Sequence, residues 1–287
     1  MNATHTQRWQ DRRTKFVPAA TIIDPREYAV DIVHSERTAA PFLTTHHYLG
    51  TLPAARLSCG LYRNGPGGKP ELVGIAVFSQ PVNNASIPLR TGLSNPAVAC
   101  DLGRLVLLDD VPGNGESWFV ARALKLLRAE KPSIQSVIAY SDPVRQTLPD
   151  GRIILPGHIG HVYQALSATY TGRTQPRRRL LTPNGSVLSD RTISKVLAGD
   201  HGAVPAIDRL MHMGASNFKA GEDTRDWLAR LEKENFLTRQ SHPGCHAYTF
   251  PLARTARRAL ASISQAVRPN RDQLITAGDV TALPLFA

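Results

Sequence analysis

The chain has 287 residues, of which 42% are hydrophobic and 20% charged, and its formal net charge is +11. That length suits one large domain or two smaller ones, in the composition range of soluble globular proteins. Three cysteines, odd in number and widely spaced, argue against a disulfide framework or a Cys-type zinc site; a polar N-terminus and the lack of any membrane-length apolar run leave a cytoplasmic protein with no membrane partner as the expectation.

Residues 1–20 read as a disordered or loosely docked lead. Asp24 as a cap, Pro25 at the first helical position, and Tyr28, Ile32 and Val33 on one face predict a helix over 25–36. The stretch THHYLG falls at a helix end or in a loop. Arg56–Tyr62 and Glu71–Ser79 read as strands joined by the turn-rich NGPGGK. Leu105–Leu108 is an unbroken apolar run, as in a strand buried on both faces. Pro112–Gly115 must turn; Glu116 and Ser117 then open an amphipathic helix with Phe119, Ala123, Leu126 and Leu127 on one face, ended by Pro132. Ile134–Ala139 follows as a second buried strand, so strand, glycine turn, helix and strand make a βαβ unit with a right-handed crossover. A polar insert, VRQTLPDGRIILPG, precedes a helix expected over His158–Tyr170 and closed by TGR.

From Arg173 the composition changes. Residues 172–287 hold 17 Lys/Arg against 10 Asp/Glu, or +7, while residues 1–171 hold 17 against 13, or +4. Such an excess favours a polyanion, with nucleic acid the usual one. Helices are expected near Arg191–Lys195, over Ala203–Met213 and over Thr224–Asn235, then a β-hairpin over Phe236–Leu252 with its turn at His242–Gly244. A winged-helix arrangement is one reading of that order. The expected fold is α/β: a mixed central sheet with flanking helices over 1–172, a basic extension over 173–260, and a tail over 261–287.

Several residues stand out for chemistry. Backbone N–H groups at Gly113, Asn114 and Gly115, with Glu116 and Ser117 at the helix start, would face an anion. Ser117 could cap the helix, bond a cofactor or donate a proton. Arg104 could bridge to Asp101, Asp109 or Asp110, or clamp a phosphate or carboxylate. Tyr140, Ser141 and Asp142 end the second strand, where an open α/β sheet lines its crevice; Asp142-Pro143 is also an ordinary turn. His158 and His161 are three apart, a spacing that can chelate a metal, though more often one is solvated and one packed. Arg177, Arg178 and Arg179, with Arg191 and Lys195, form a basic cluster that is either a solvated surface or a set of phosphate contacts.

The order hairpin, long strand, glycine loop, helix, strand, helix resembles the GNAT acyltransferase superfamily. That resemblance implies an acyl-coenzyme A-like donor at the glycine loop, although the loop lacks the superfamily's preceding basic residue. THHYLG, LGRLVLLDD, GESWF, AYSDP, HIGHVYQA, YTGR, LSDRTISK and HPGCHAY, in this order, resemble the Mom family of Mu-like phages, with a departure in the long insert before His158. The Mom resemblance implies an enzyme of the bacterial host cytoplasm that converts adenine in double-stranded DNA to N6-carbamoylmethyladenine and protects phage DNA from restriction. It implies a catalytic set of His47, Tyr48, Arg104, Ser117, Asp142 and Tyr163. His47 and Asp142 are the candidate metal ligands and iron the candidate ion. The sequence does not identify the donor, and a homodimer stays open. A conventional acetyl-CoA N-acetyltransferase and a non-enzymatic DNA-binding regulator are the alternatives.

Overall fold

A computed structural model describes residues 5–11, 13–18, 20–147, 153–155, 157–263 and 266–269. The chain begins with an antiparallel hairpin, β1 His5–Gln10 and β2 Arg13–Pro18, so the lead expected to be loose is ordered over these residues. β3 Tyr28–Val33 is a strand where a helix was expected. Val30, Ile32 and Val33 are stiff β-branched residues, and antiparallel pairing with the next strand outweighs the capping signal at Asp24. A π-turn over Ser35–Ala39 leads into α1 Ala40–His46. β4 Ala55–Asn64 and β5 Pro70–Ser79 form the expected hairpin. Then come α2 Ser86–Thr91, β6 Ala99–Leu107, α3 Gly115–Glu130 and β7 Ser136–Ser141. β6 and β7 are parallel, so the βαβ unit is present.

The insert contributes β8 Gln146–Thr147 and β9 Ile153–Leu155; the rest of it, 148–152 and 156, lies outside the described residues. The helix expected over 158–170 is α4 His161–Ala165 alone, followed by β10 Thr169–Arg173. Gly160 has φ 77° with the Tyr248 ring against it, and Ser167 has φ 59°; these left-handed residues bound the helix on both sides. β11 Arg177–Leu181, β12 Val187–Leu188, α5 Asp190–Ala198, α6 Ala203–His212, α7 Thr224–Lys233, β13 Thr238–His242, β14 His246–Pro251 and α8 Arg254–Ala261 complete the order. Of the tail expected over 261–287, residues 270–287 lie outside the described residues.

The chain forms two compact units. The first takes residues 1–143, 158–173 and 245–273 and holds a seven-stranded mixed sheet in the order β10-β14-β7-β6-β5-β4-β3. One face packs α3 through Phe119, Val120, Ala123 and Leu127. The other carries α1 and α2, with Leu43 on Ile75 and Val77, and Ile87 on Ile138. The second unit includes 174–244, with a small sheet in the order β12-β11-β13 and a core of Val196, Leu210, Trp227, Leu228 and Leu231 contributed by α5–α7. The expected hairpin over 236–252 is therefore not one. β13 pairs with β11, whereas β14 returns to the first sheet between β7 and β10. An extension running unbroken over 173–260 is replaced by a unit whose chain goes back to the first sheet at Cys245.

Candidate active site

The parallel ladder between β6 and β7 covers only three pairs and ends at Asp101↔Ile138, after which β7 runs on through Ala139, Tyr140 and Ser141. Tyr140, Ser141 and Asp142 thus follow the point at which the two strands part, and Arg104 follows it on β6. On the β5 side the ladder breaks between Val77↔Arg104 and Phe78↔Leu102. Gly103 is the extra residue of this bulge, and a Cβ there would meet the Ser79 hydroxyl at 2.3 Å. A bulge re-aims the side chain beside it, and here that side chain is Arg104.

Arg104 forms no salt bridge among the described residues. Its Nε donates to the Thr51 carbonyl at 3.0 Å, and its other nitrogens to the Gly103 carbonyl at 2.7 Å and the Thr51 hydroxyl at 3.1 Å. Two of the acidic partners it could have taken are engaged elsewhere: Asp110 binds Arg63, and Asp109 lies 3.9 Å from Lys15. Neutral partners fix the guanidinium while leaving its charge uncompensated. Partial burial lowers its pKa, offset by the nearby Tyr48.

His47 ends α1 and is 5% exposed. Its ring stacks on Tyr48 with centroids 4.4 Å apart. Desolvation, with the Arg104 charge second, pushes its pKa down to about 3. Its Nδ1 accepts the Leu49 N–H at 3.1 Å, so the neutral ring carries its proton on Nε2. His47 thus presents a hydrogen-bond donor and is a poor base. The same geometry bears on iron: the charge beside His47 is the Arg104 cation, and no close group of three His, Cys, Asp or Glu donors among the described residues includes His47. His47 and Asp142 therefore do not share a metal centre in this arrangement.

Tyr163, the α4 tyrosine, is buried against Tyr248 and Phe250, with ring centroids at 5.5 and 6.2 Å, and its pKa is raised by desolvation, then by Tyr48 and Tyr248. It is a neutral phenol at any physiological pH. His158 lies edge-on to it at 6.4 Å. His158 is not on α4, so it does not share a helix face with His161; its backbone N–H donates to the Asp142 backbone carbonyl at 2.7 Å. Burial pushes its pKa down to about 4 although the Asp142 charge works the other way. Asp142 is half-buried at the end of β7. Tyr48, Arg104, Asp142, His158 and Tyr163 therefore belong to one neighbourhood in the first unit.

The glycine turn is organised differently from expectation. Gly113 donates its N–H to the Thr21 carbonyl at 2.9 Å and Gly115 to the Pro112 carbonyl at 2.9 Å. The Asn114 side chain accepts the Ile23 N–H at 2.7 Å, and the Ser117 hydroxyl donates to the Asn114 carbonyl at 3.0 Å. Arg8 of β1, fully buried, bonds the Glu116 carboxylate and donates to the carbonyls of Val111 and Pro112. The anion cradle expected from Gly113 and Gly115 is thus corrected: both N–H groups are spent inside the protein, and the cation at the turn comes from the N-terminal hairpin. Neither the two glycine N–H groups nor the Ser117 hydroxyl proton is left to donate to a cofactor.

Residues 27–267 match the model of the Mom protein family. The chain belongs to the Mom family. Membership makes DNA modification its activity class and a transferase its enzyme class. No curated protein matches the chain. It is similar to a solved tandem GNAT protein from the clavulanic acid biosynthesis pathway, determined without AcCoA. The TM-score is 0.33 and the identity 13%, over 78% of this chain and 74% of that one, a likeness too low to carry any argument. No helix among the described residues of this Mom family protein is long and apolar enough to cross a membrane.

The cations expected to meet DNA lie in the second unit. Arg177, Arg178 and Arg191 are exposed and Lys195 is half-buried; Arg177 lies 3.5 Å from Asp190. Arg179 is 6% exposed and cannot reach a phosphate from that position. It alternates with Arg178 on β11, so the two side chains take opposite faces of the strand. Sequence reasoning also missed Arg8, Tyr170 and His246, and named Asp101 only as a possible partner of Arg104. His246, Tyr248 and Phe250 alternate in HPGCHAYTF, and that period-2 pattern was the available signal for a buried strand.

Proposed function

We propose that this Mom family protein modifies the exocyclic amine of adenine in duplex DNA, installing a carbamoylmethyl group on N6. The observation that carries this reading is the gathering of Arg104, Tyr48, Tyr163 and the Asp142–His158 pair in one neighbourhood of the first unit, in a chain matched to the family over residues 27–267. The amine is paired inside the duplex, so the base is flipped out to react. Its lone pair is delocalised into the ring, so it needs help to act as a nucleophile. With His47 a donor and His158 depressed to about 4, Asp142 is the acceptor for the N6 proton. The N6–methylene bond forms as a donor with an activated methylene loses its leaving group together with the bonding pair. Tyr163, a neutral phenol, donates to that leaving group or stacks on the base. Arg104 holds an anionic part of the donor or a DNA phosphate.

The test is mass spectrometry of nucleosides from DNA made in cells expressing the protein. A heavier N6-adenine derivative is expected, and Asp142→Ala and Tyr163→Phe are each expected to abolish it with the protein still folded. Digests holding only ordinary nucleosides, from cells with soluble protein, would defeat the reading.

A further inference from the structure

In the first unit, Ser141 of β7 and His246 of β14 are direct antiparallel partners. Paired residues project to the same face. That face also carries Tyr170, Tyr248 and Phe250, and Tyr163 packs on it. Ser141 is 0% and His246 1% exposed, and the Ser141 hydroxyl and the His246 Nε2 are both buried without a hydrogen-bond partner. Their surroundings are otherwise satisfied. Tyr170 OH bonds His246 Nδ1 at 2.9 Å, and Tyr248 OH donates to the Ile159 carbonyl and accepts from Gln164 at 3.0 Å. Two adjacent unpaired polar atoms in an otherwise paired wall are the mark of a group supplied from outside the chain.

The chemistry of that group follows from the wall. The Tyr170 hydroxyl has no other acceptor among the described residues, so its proton is assigned to the bond with Nδ1, which places the neutral ring's N–H at Nε2. Beside it, the Ser141 hydroxyl can accept. A donor next to an acceptor fits a neutral group bearing a carbonyl-type acceptor beside an N–H, such as a primary amide or the N1/N6 edge of adenine. A carboxylate has no N–H to give to the Ser141 hydroxyl, so it fits this donor–acceptor pair less well.

We propose that Ser141 and His246, with Tyr170 fixing the ring, form a buried subsite that recognises a neutral acceptor–donor group, either the adenine edge or the amide of the transferred group. The choice of these two ligands rests on the proposed function, but the subsite itself does not.

The experiment is titration of the full-length protein, ¹⁵N-labelled at histidine, with 2′-deoxyadenosine, acetamide and sodium acetate, following the His246 Nε2 resonance, assigned with His246→Gln. A shift with either neutral probe, absent with acetate and weakened about tenfold or more in Ser141→Ala, is the expected result. Response to acetamide alone assigns the subsite to the transferred group, and response to deoxyadenosine alone assigns it to the base. No shift with either neutral probe, an equal response to acetate, or an unchanged response in Ser141→Ala overturns the proposal. Nucleoside mass spectrometry on the same protein separates the two claims: a His246 response without DNA modification sinks the functional reading and leaves the subsite standing, and modification without a response does the reverse.

Discussion

Asp101 sits where the β6–β7 ladder ends, with one carboxylate oxygen buried and unpaired, and desolvation pushes its pKa up to about 7. The unfolded carboxyl titrates near 3.9, so between about pH 4 and 7 the folded state holds a proton that the unfolded state has released. Its contribution to stability is complete below about pH 4 and is lost as pH rises through 7. The difference amounts to at most about 4 kcal/mol, from roughly three units at 1.36 kcal/mol each. Urea midpoints measured against pH should show this decline in the wild type and a flatter profile in Asp101→Asn. The buried histidines work in the opposite sense. His47, at about 3, and His158 and His246, at about 4, lie below the unfolded value near 6.5, so their contribution is complete above that pH and is lost on acidification toward 4. His158→Gln should remove part of the acid-side loss; an unchanged acid limb would show that the imidazole is not the group responsible.

At the level of elements, the N-terminal hairpin and the glycine turn are one device. Arg8 reaches across more than a hundred residues to bind Glu116 and two turn carbonyls. Arg8→Ala leaves Glu116 without its partner and should cost about 3–5 kcal/mol, whereas the double change Arg8→Met with Glu116→Leu should cost clearly less. Chemical denaturation of both variants checks this, and equal losses would mean that the hairpin is held by other contacts. This arrangement also marks how far the sequence could be read. The β4–β5 hairpin, the βαβ unit and α5–α7 were legible because their periodicity and turn residues agree with the tertiary structure. β3 and β10 were not, because short β-branched and aromatic runs become strands only through partners distant in the chain; β14 was read as a strand but with the wrong partner, since it is placed by β7, more than a hundred residues earlier. For the same reason Asp142 and Tyr163 could be named from motifs, while Ser141 and His246 became a pair only through register. The glycine turn misled for a related reason, since its signature does not show that Thr21 and Arg8 occupy it.

At the scale of the whole molecule, residues 172–287 carry +7 of the net +11, shared between the second unit and the part of the first unit that follows Cys245. Binding to duplex DNA should fall steeply with salt. Replacing Arg177, Arg178 and Arg191 with alanine should flatten the log–log slope by roughly 0.9 for each phosphate that is no longer neutralised. Arg179→Ala should leave the slope alone and lower the melting temperature instead, because that side chain is buried. Fluorescence anisotropy across a salt series distinguishes the two; a slope unaffected by the triple change would place the DNA grip elsewhere.

The return of the chain at Cys245 has a consequence for how the protein is born. β14 lies between β7 and β10, so a ribosome must deliver the whole of 174–244 before the central sheet can close. Until then β7 and β10 present unpaired edges in a nascent chain, the state in which sheets join wrong partners. The intervening segment has its own apolar core and can fold during that wait. A chain released at residue 244 should therefore expose β7 and aggregate, and the same chain supplied in trans with a peptide spanning 245–269 should regain solubility.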